Sequence, residues 1–434
     1  MFLTRRFYIV MSLLIIVVAV GYALPPLMGV GMVGVALLVV ATAVEVALLY
    51  QKRGVEAWRS CDARFSNGDD NRVDIRVENH FGFRLLLEVI DESPVVFQRR
   101  DIVFTLTLQA GQGKTISYTL RPTQRGDYAF GQVRVFASSS LGLAQRRFSC
   151  AKPQSVKVYP AFMILRQYEL LAISNQLTAL GIKRIRRVGN FTEFEQIKDY
   201  VAGDDFRTIN WKASARRHEL MVNVYQTERS QQVLCLVDKG RVMHAAFHGM
   251  SLLDYAINAS LALSFVAMHK EDKAGIATFC QRVDNFVTPS RQPSQMRTIL
   301  DTLYNVSTDF GESDFSILTT ELPLFLRRRS LVVLFTNFHG TATMQRQLPY
   351  LKQLARHHRL LVVFFANTSL HEYVDTKART TADYYEHVVA ETMIHDQQLA
   401  AQQLRQHGIL SLLTTPEQLS VNVINKYLEI KQKY

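Results

Sequence analysis

Two apolar runs at the amino-terminal end restrict what this chain can become. Phe7 to Ala23 supplies about 17 nearly uninterrupted apolar residues and Met28 to Leu49 about 22, each close to the roughly 20 that a helix needs to cross hydrocarbon. The turn between them, Leu24-Pro25-Pro26, is too short to hold a domain. Arg5 and Arg6 precede the first run, and Lys52, Arg53 and Arg59 follow the second. Positive charge of this kind marks the cytoplasmic side. The expectation is a transmembrane helical hairpin over 1–58, multi-pass in the inner (cytoplasmic) membrane with both termini cytoplasmic. A cleaved signal peptide is the weaker reading, because no small-x-small site follows the first run and a second span comes at once. Glu45 lies near the cytoplasmic end of the second span, where a carboxylate can reach the interface. Gly29, Gly31 and Gly34 read as packing positions that let two helices approach.

The chain has 434 residues, enough for two or three domains. Its net charge of +12 suits a body held beside anionic headgroups, so membrane lipid is the first partner implied. The strongest basic clusters, Lys183 to Arg187 and Arg327 to Arg329, lack the interleaved aromatics of a nucleic-acid groove, and no nucleic-acid partner is expected. The four cysteines, Cys61, Cys150, Cys235 and Cys280, have no paired close spacing and read as reduced, mostly buried thiols.

From 59 to 160 the pattern switches to period two. Val73-Ile75-Val77, Leu85-Leu87-Val89, Val103-Thr105-Thr107, Ile116-Tyr118-Leu120 and Val133-Val135 alternate between turn residues, which predicts an antiparallel β-sandwich. Gly111 to Thr115 imitates the end of a phosphate loop, but it joins two strands and lacks the first glycine, so it reads as a hairpin turn. Residues 161–232 form a helical linker and a dense signature region, with helical spacing at Leu165, Tyr168, Leu171 and Leu177. Over 233–434, continuous apolar strands such as Gln232 to Asp238, Leu331 to Phe335 and Leu360 to Ala366 alternate with helices. One expected helix runs from Phe315 to Arg328. Strands of this kind are buried on both faces, and the alternation predicts a doubly wound α/β domain.

The signature runs from Gly189 to Arg216. Phe191, Phe194, Ile197 and Val201 recur at three-to-four-residue intervals, which predicts one face of a helix ended by Gly203. Glu193, Glu195, Asp199, Asp204 and Asp205 sit beside Arg207, Lys212 and Arg216, and a salt-bridged network is the simpler reading of so many opposite charges. Trp211 reads as a core plug. Glu193, Phe194, Ile197, Lys198, Tyr200, Gly203, Asp204, Arg207, Ile209, Trp211, Ser214, Ala215 and Arg216 together match a specific pattern. It resembles the bacterial domain of unknown function 58 family. The resemblance extends to the two-span amino terminus, the strand-rich segment and the α/β half. It implies association with a MoxR-type AAA+ ATPase and a role in assembling or activating protein complexes.

The α/β half resembles a von Willebrand factor A-like domain, and that likeness implies a cation site of hard oxygen ligands. Here Asp238 opens the first loop, Gly240 and Val242 stand at its two serine positions, and Ser313 and Asn337 stand at the later ones. Lys239 and Arg241 bring positive charge to the same place. No metal or other cofactor is expected. The reading favoured is a membrane-anchored, cytoplasm-facing interaction module. The alternative is a membrane-bound hydrolase using Glu193, Asp204 and Asp205.

Overall fold

A computed structural model describes residues 2–50, 54–97, 102–163, 193–201, 206, 209–226, 230–308, 310–338 and 340–432, and divides the chain into two units between Tyr159 and Pro160. Leu165 to Leu177, the cluster Lys183 to Arg187, and Gly203, Asp204, Asp205 and Arg207 of the signature lie outside the described residues.

In the first unit, strand β1 (Phe2–Leu3) leads into helix α1 (Arg5–Gly21), whose first turn Thr4 caps by accepting from the Phe7 amide. Helix α2 (Pro25–Leu49) returns against α1. A Cβ at Gly31 would fall 2.6 Å from Val18 Cγ2 and one at Gly34 2.7 Å from Leu14 Cδ2, so these two glycines set the close helix approach. Gly29 meets only open space and does not take part. Ile16, Leu37 and Val40 are each more than half exposed, leaving an apolar surface open on both helices. Among the described residues two helices are long and apolar enough to cross a membrane, Pro26–Leu49 and Leu252–His269, and the second is 72% buried inside its own unit.

The rest of the first unit is strand. Its elements are β2 (Val55–Cys61), β3 (Arg64–Ser66), β4 (Asn71–Asn79), β5 (Leu85–Asp91), β6 (Val103–Leu108) and β7 (Gly113–Leu120), followed by β8 (Gly126–Phe130), β9 (Val133–Ser138), β10 (Ala144–Cys150) and β11 (Gln154–Tyr159). They pair as β1-β10-β9-β5-β6, β2-β4-β7 and β3-β11-β8, antiparallel throughout except β3 with β11. The period-two pattern does its expected work, with Val73, Ile75, Val77, Leu85, Leu87, Val89, Val133 and Val135 wholly buried in one core. The Gly111 turn is not a hairpin, because β6 and β7 belong to different sheets and the turn carries the chain from one to the other.

Two buried polar clusters hold this unit. The Glu45 side chain is fully buried within the unit. Its carboxylate accepts from the amides of Ser139 (3.2 Å), Gly142 (3.2 Å), Leu143 (2.8 Å) and Ala144 (3.0 Å) and from the Ser139 hydroxyl (2.6 Å). Arg59 centres the second. Its guanidinium is buried against Asp91, with Nε 3.0 Å from Oδ2, and lies 4.5 Å from the Phe130 ring, while the Tyr118 hydroxyl donates to the same carboxylate. Burial and the Asp91 charge push the Tyr118 phenol well above its ordinary range.

The second unit opens with a ribbon, β12 (Glu193–Asp199) antiparallel to β13 (Met221–Gln226), with helix α3 (Trp211–Arg217) between them. Its sheet comprises β14 (Gln232–Asp238), β17 (Lys273–Phe279), β18 (Val283–Ser290), β19 (Leu331–Phe335), β20 (Arg359–Phe365) and β21 (Leu410–Thr414), in the order β18-β17-β14-β19-β20-β21. The small ladder β15 (Ala246–Phe247) with β16 (Met250–Ser251) stands apart. The helices are α4 (Leu252–His269), α5 (Gln295–Tyr304), α6 (Ser316–Thr320), α7 (Leu322–Phe325), α8 (Thr341–His357), α9 (Thr368–Val374), α10 (Thr381–Gln406) and α11 (Leu419–Gln432). The single helix expected from Phe315 to Arg328 is broken into the short α6 and α7, with Pro323 in the first turn of the second.

All sheet pairings are parallel except β18 with β17. Alternate residues of each strand serve opposite cores. Val233, Cys235 and Val237 pack with α4, α5 and α11, while Leu234 and Leu236 pack with α6, α7, α8 and α10. That is why β14 reads as an unbroken apolar run, and it makes the sheet doubly wound.

Candidate functional site

In a sheet of this order the chain moves one way from β14 and then the other, so the carboxyl ends of β14 and β19 diverge and leave a crevice. Asp238 ends β14, and Thr336 and Asn337 follow β19. With Arg241, Val242, Glu312, Ser313, Phe315, Thr343 and Arg346 they line a cavity of about 170 Å³. That is below the ~300–1,000 Å³ of pockets that enclose a small-molecule ligand.

The carboxylate at the crevice floor is occupied by the protein itself. Asp238 Oδ1 accepts from the Gly240 amide at 2.8 Å and from the Ser313 hydroxyl, and Oδ2 accepts from the Thr336 hydroxyl at 2.7 Å. The Ser313 hydroxyl fills the place a side chain at residue 240 would need, since a Cβ on Gly240 would fall 2.0 Å from Ser313 Oγ. Donors and acceptor thus satisfy each other, and the residues do not fit a divalent cation. The buried Asn337 Oδ1 is the acceptor in the crevice without a hydrogen-bond partner. Lys239 does not enter the crevice, because its ammonium pairs with Asp284 at 2.7 Å. Arg241 does line it, 3.6 Å from Glu312, which also lies 3.8 Å from Arg346. Ser313 and Asn337 were singled out through the resemblance to a von Willebrand factor A-like domain, but Thr336 was not. The signal was its place directly after a buried strand at the switch point.

Burial raises the Asp238 pKa, against the opposing pull of the Ser313, Thr336 and Gly240 hydrogen bonds. The folded carboxyl therefore holds its proton more tightly than an unfolded one, whose pKa is about 3.9. Folding stability from this group is complete below the unfolded value and declines as pH rises through the raised folded value. Asp238→Asn carries no charge, so its melting temperature is expected to gain on the wild type as pH climbs above about 4. A constant difference across that range would contradict this account.

The signature segment departs from the helix expected of it. Residues 193–199 form a strand with a bulge, since Phe194 pairs with Tyr225 and Gln196 with Val224, leaving Glu195 unpaired between them. One inserted residue turns the strand's period of two into a spacing of three between Phe194 and Ile197, which imitates a helix. The Tyr200 amide donates to the Leu220 carbonyl at 2.8 Å. Asn210 caps α3 by accepting from the Ala213 amide at 3.0 Å, and its Nδ2 donates to Asn223 Oδ1 at 2.8 Å. The buried Ser214 hydroxyl donates to the Asn210 carbonyl and accepts from the Met221 amide, each at 2.9 Å. His218 ends the helix in the left-handed region, at φ +60°.

Trp211 is not a core plug. It is 70% exposed, as is Phe206, and Val201 and Leu220 are exposed nearby in the chain. Lys212 and Arg216 are exposed on α3. The structure therefore brings Tyr200, Trp211, Ser214 and Arg216 into one ribbon-and-helix element, whereas Asp238, Ser313 and Asn337 meet in the crevice. Phe206 escaped notice in the sequence because it lies between charged residues.

Residues 196–370 match the family described as "Protein of unknown function DUF58". Over 198 residues, covering 44% of this chain and 49% of the relative, the sequence is 26% identical to the "Uncharacterized protein YeaD" of Bacillus subtilis (strain 168). The chain thus spans about half the length of the curated relative it matches. Among solved structures, the SpRpn10 VWA domain aligns with 45% of this chain and 94% of its own length, at 12% identity and a TM-score of 0.28. The CARDB domain of PF1109 from Pyrococcus furiosus aligns with 24% of this chain and 93% of its own length, at 12% identity and a TM-score of 0.19. At these scores both likenesses are loose. The chain carries antiparallel sheets beside a largely parallel one, and its match to the DUF58 family runs from β12 into α9.

Proposed function

We propose that this chain is a membrane-anchored protein-interaction module. Helices α1 and α2 span the bilayer as a hairpin, both termini lie on the cytoplasmic side, and the sheets of the first unit form a sandwich there. The partner is a MoxR-type AAA+ ATPase, and the work is assembly or activation of protein complexes. One observation carries the interaction reading. Trp211 stands open to solvent on an element whose own polar groups, Asn210, Ser214 and Asn223, are hydrogen-bonded within it. Large aromatics displayed on a rigid support are what a docking surface uses, because little side-chain entropy is left to lose on binding. The small crevice, its carboxylate engaged by three protein donors, fits the same reading.

Capture of a purified MoxR-type ATPase by the detergent-solubilised full chain tests it. Trp211→Ser is expected to weaken capture at least about tenfold, as loss of an aromatic hot spot does, while leaving the melting temperature unchanged. Undiminished capture by Trp211→Ser, Asp204→Ala and Arg207→Ala would refute the docking role of the signature segment. A reporter fused after Tyr434 that is active only outside the inner membrane would refute the orientation.

A further inference from the structure

Helix α10 carries a surface that no described residue of its own unit covers. Its carboxyl-terminal half is anchored, with Gln397, Ala400, Ala401 and Leu404 buried. Along its first half Tyr384, Tyr385, Val388, Val389 and Met393 are 63%, 74%, 61%, 42% and 41% exposed. Their spacing of three and four residues gathers them into one apolar stripe about 14 Å long. Helix α9 does not cover it. Its contacts begin at the stripe's edge, where the Tyr373 hydroxyl donates to Glu386, and continue behind it, where the Tyr373 ring meets His387 edge-on. Five large apolar side chains exposed in sequence on one helix are not the scattered exposure ordinary on protein surfaces.

The charge around the stripe is also unusual. Asp383, Glu386, Glu391 and Asp396 lie along the same stretch, and no Lys or Arg occurs between Thr381 and Leu404, in a chain whose net charge is +12. On a helical projection Glu386 and Glu391 flank the apolar side chains on either edge, and Asp383 falls on the opposite side. Asp383 is held ionised, because the Thr380 hydroxyl and the Arg379 and Thr380 amides donate to it and lower its pKa. The helix begins beyond residue 370, where the family match ends, so this surface lies outside the matched core.

We propose that the α10 stripe seats an amphipathic cationic segment of a partner protein. Its apolar side chains pack on Tyr384, Tyr385, Val388 and Met393, and its Lys or Arg side chains meet Glu386 and Glu391. An apolar stripe edged by carboxylates is complementary to that chemistry. Anionic lipid would be repelled by the carboxylates. Two copies of the stripe meeting across a two-fold axis would set like charges together. The inference rests on neither the crevice nor the signature segment.

The test uses the full chain in detergent micelles and two labelled helical peptides of about 18 residues, five turns. Both present the same leucine stripe, one flanked by lysines and the other by glutamates, and anisotropy reads their binding. The lysine peptide is expected to bind and the glutamate peptide not. Tyr385→Ser with Val388→Asp is expected to lower the affinity at least about tenfold. Glu386→Lys with Glu391→Lys is expected to reverse the preference, and Glu391→Lys alone to reduce it where the double variant loosens α9. Equal binding of both peptides, or affinity unchanged in the stripe variants, overturns the proposal. So does a stripe variant that changes the mass of the solubilised protein, which assigns the stripe to a second copy. Anionic vesicles that protect α10 from hydrogen exchange without peptide overturn it in favour of lipid.

Discussion

Glu45→Ala is expected to destabilise the first unit by about 3–5 kcal/mol, the range for removing one partner from a buried charged cluster. The carboxylate accepts five hydrogen bonds from the Ser139 to Ala144 turn, and alanine leaves four amides and a hydroxyl facing a void. An orphaned buried donor costs ~1–3 kcal/mol, so losing only part of the set already reaches that range. Glu45→Gln keeps the shape but turns one acceptor into a donor, and a smaller loss is expected. Trp58 in β2 reports the transition once Trp211 is replaced by phenylalanine, since the chain has 2 tryptophans. Urea unfolding in micelles that moves by less than about 1 kcal/mol would contradict the role assigned to these bonds.

A comparable loss is expected for Asp91→Ala. It strands the Arg59 guanidinium in a site where the side chain is 1% exposed, and it removes the acceptor for the Tyr118 hydroxyl. About 3–5 kcal/mol follows from an unpaired buried charge. The double variant Asp91→Ala with Arg59→Met removes the charge as well, and it is expected to recover most of the loss. That recovery separates a buried-charge penalty from general damage to the core, because additive losses would signal independent packing defects. The same Trp58 readout serves.

Sequence reading works best where one local pattern carries one meaning. The strands β14, β19 and β20 are buried on both faces, so continuous apolar runs locate them. Strand β21 is short, and its Ser411 is turned inward to donate to the Ala401 carbonyl, so no run announces it. Helix α9 has no buried residue and therefore no apolar face to read. In the signature, the bulge at Glu195 disguises a strand as a helix. The positions of Asp238, Ser313 and Asn337 came from the resemblance to a von Willebrand factor A-like domain. The engagement of Asp238 by Ser313 and Thr336, 75 and 98 residues away, is a tertiary fact. The pairing of Arg59 with Asp91, 32 positions away, is a tertiary fact of the same kind.

Strand β1 pairs Phe2 with Gln145 and Leu3 with Ala144. At roughly 5–20 residues per second of synthesis, the edge it joins leaves the ribosome some 140 residues and about 7–28 seconds later. By then the intervening apolar helices have long since emerged and found their surroundings. The last stitch of that sheet is therefore closed by residues made some 140 positions before their partners.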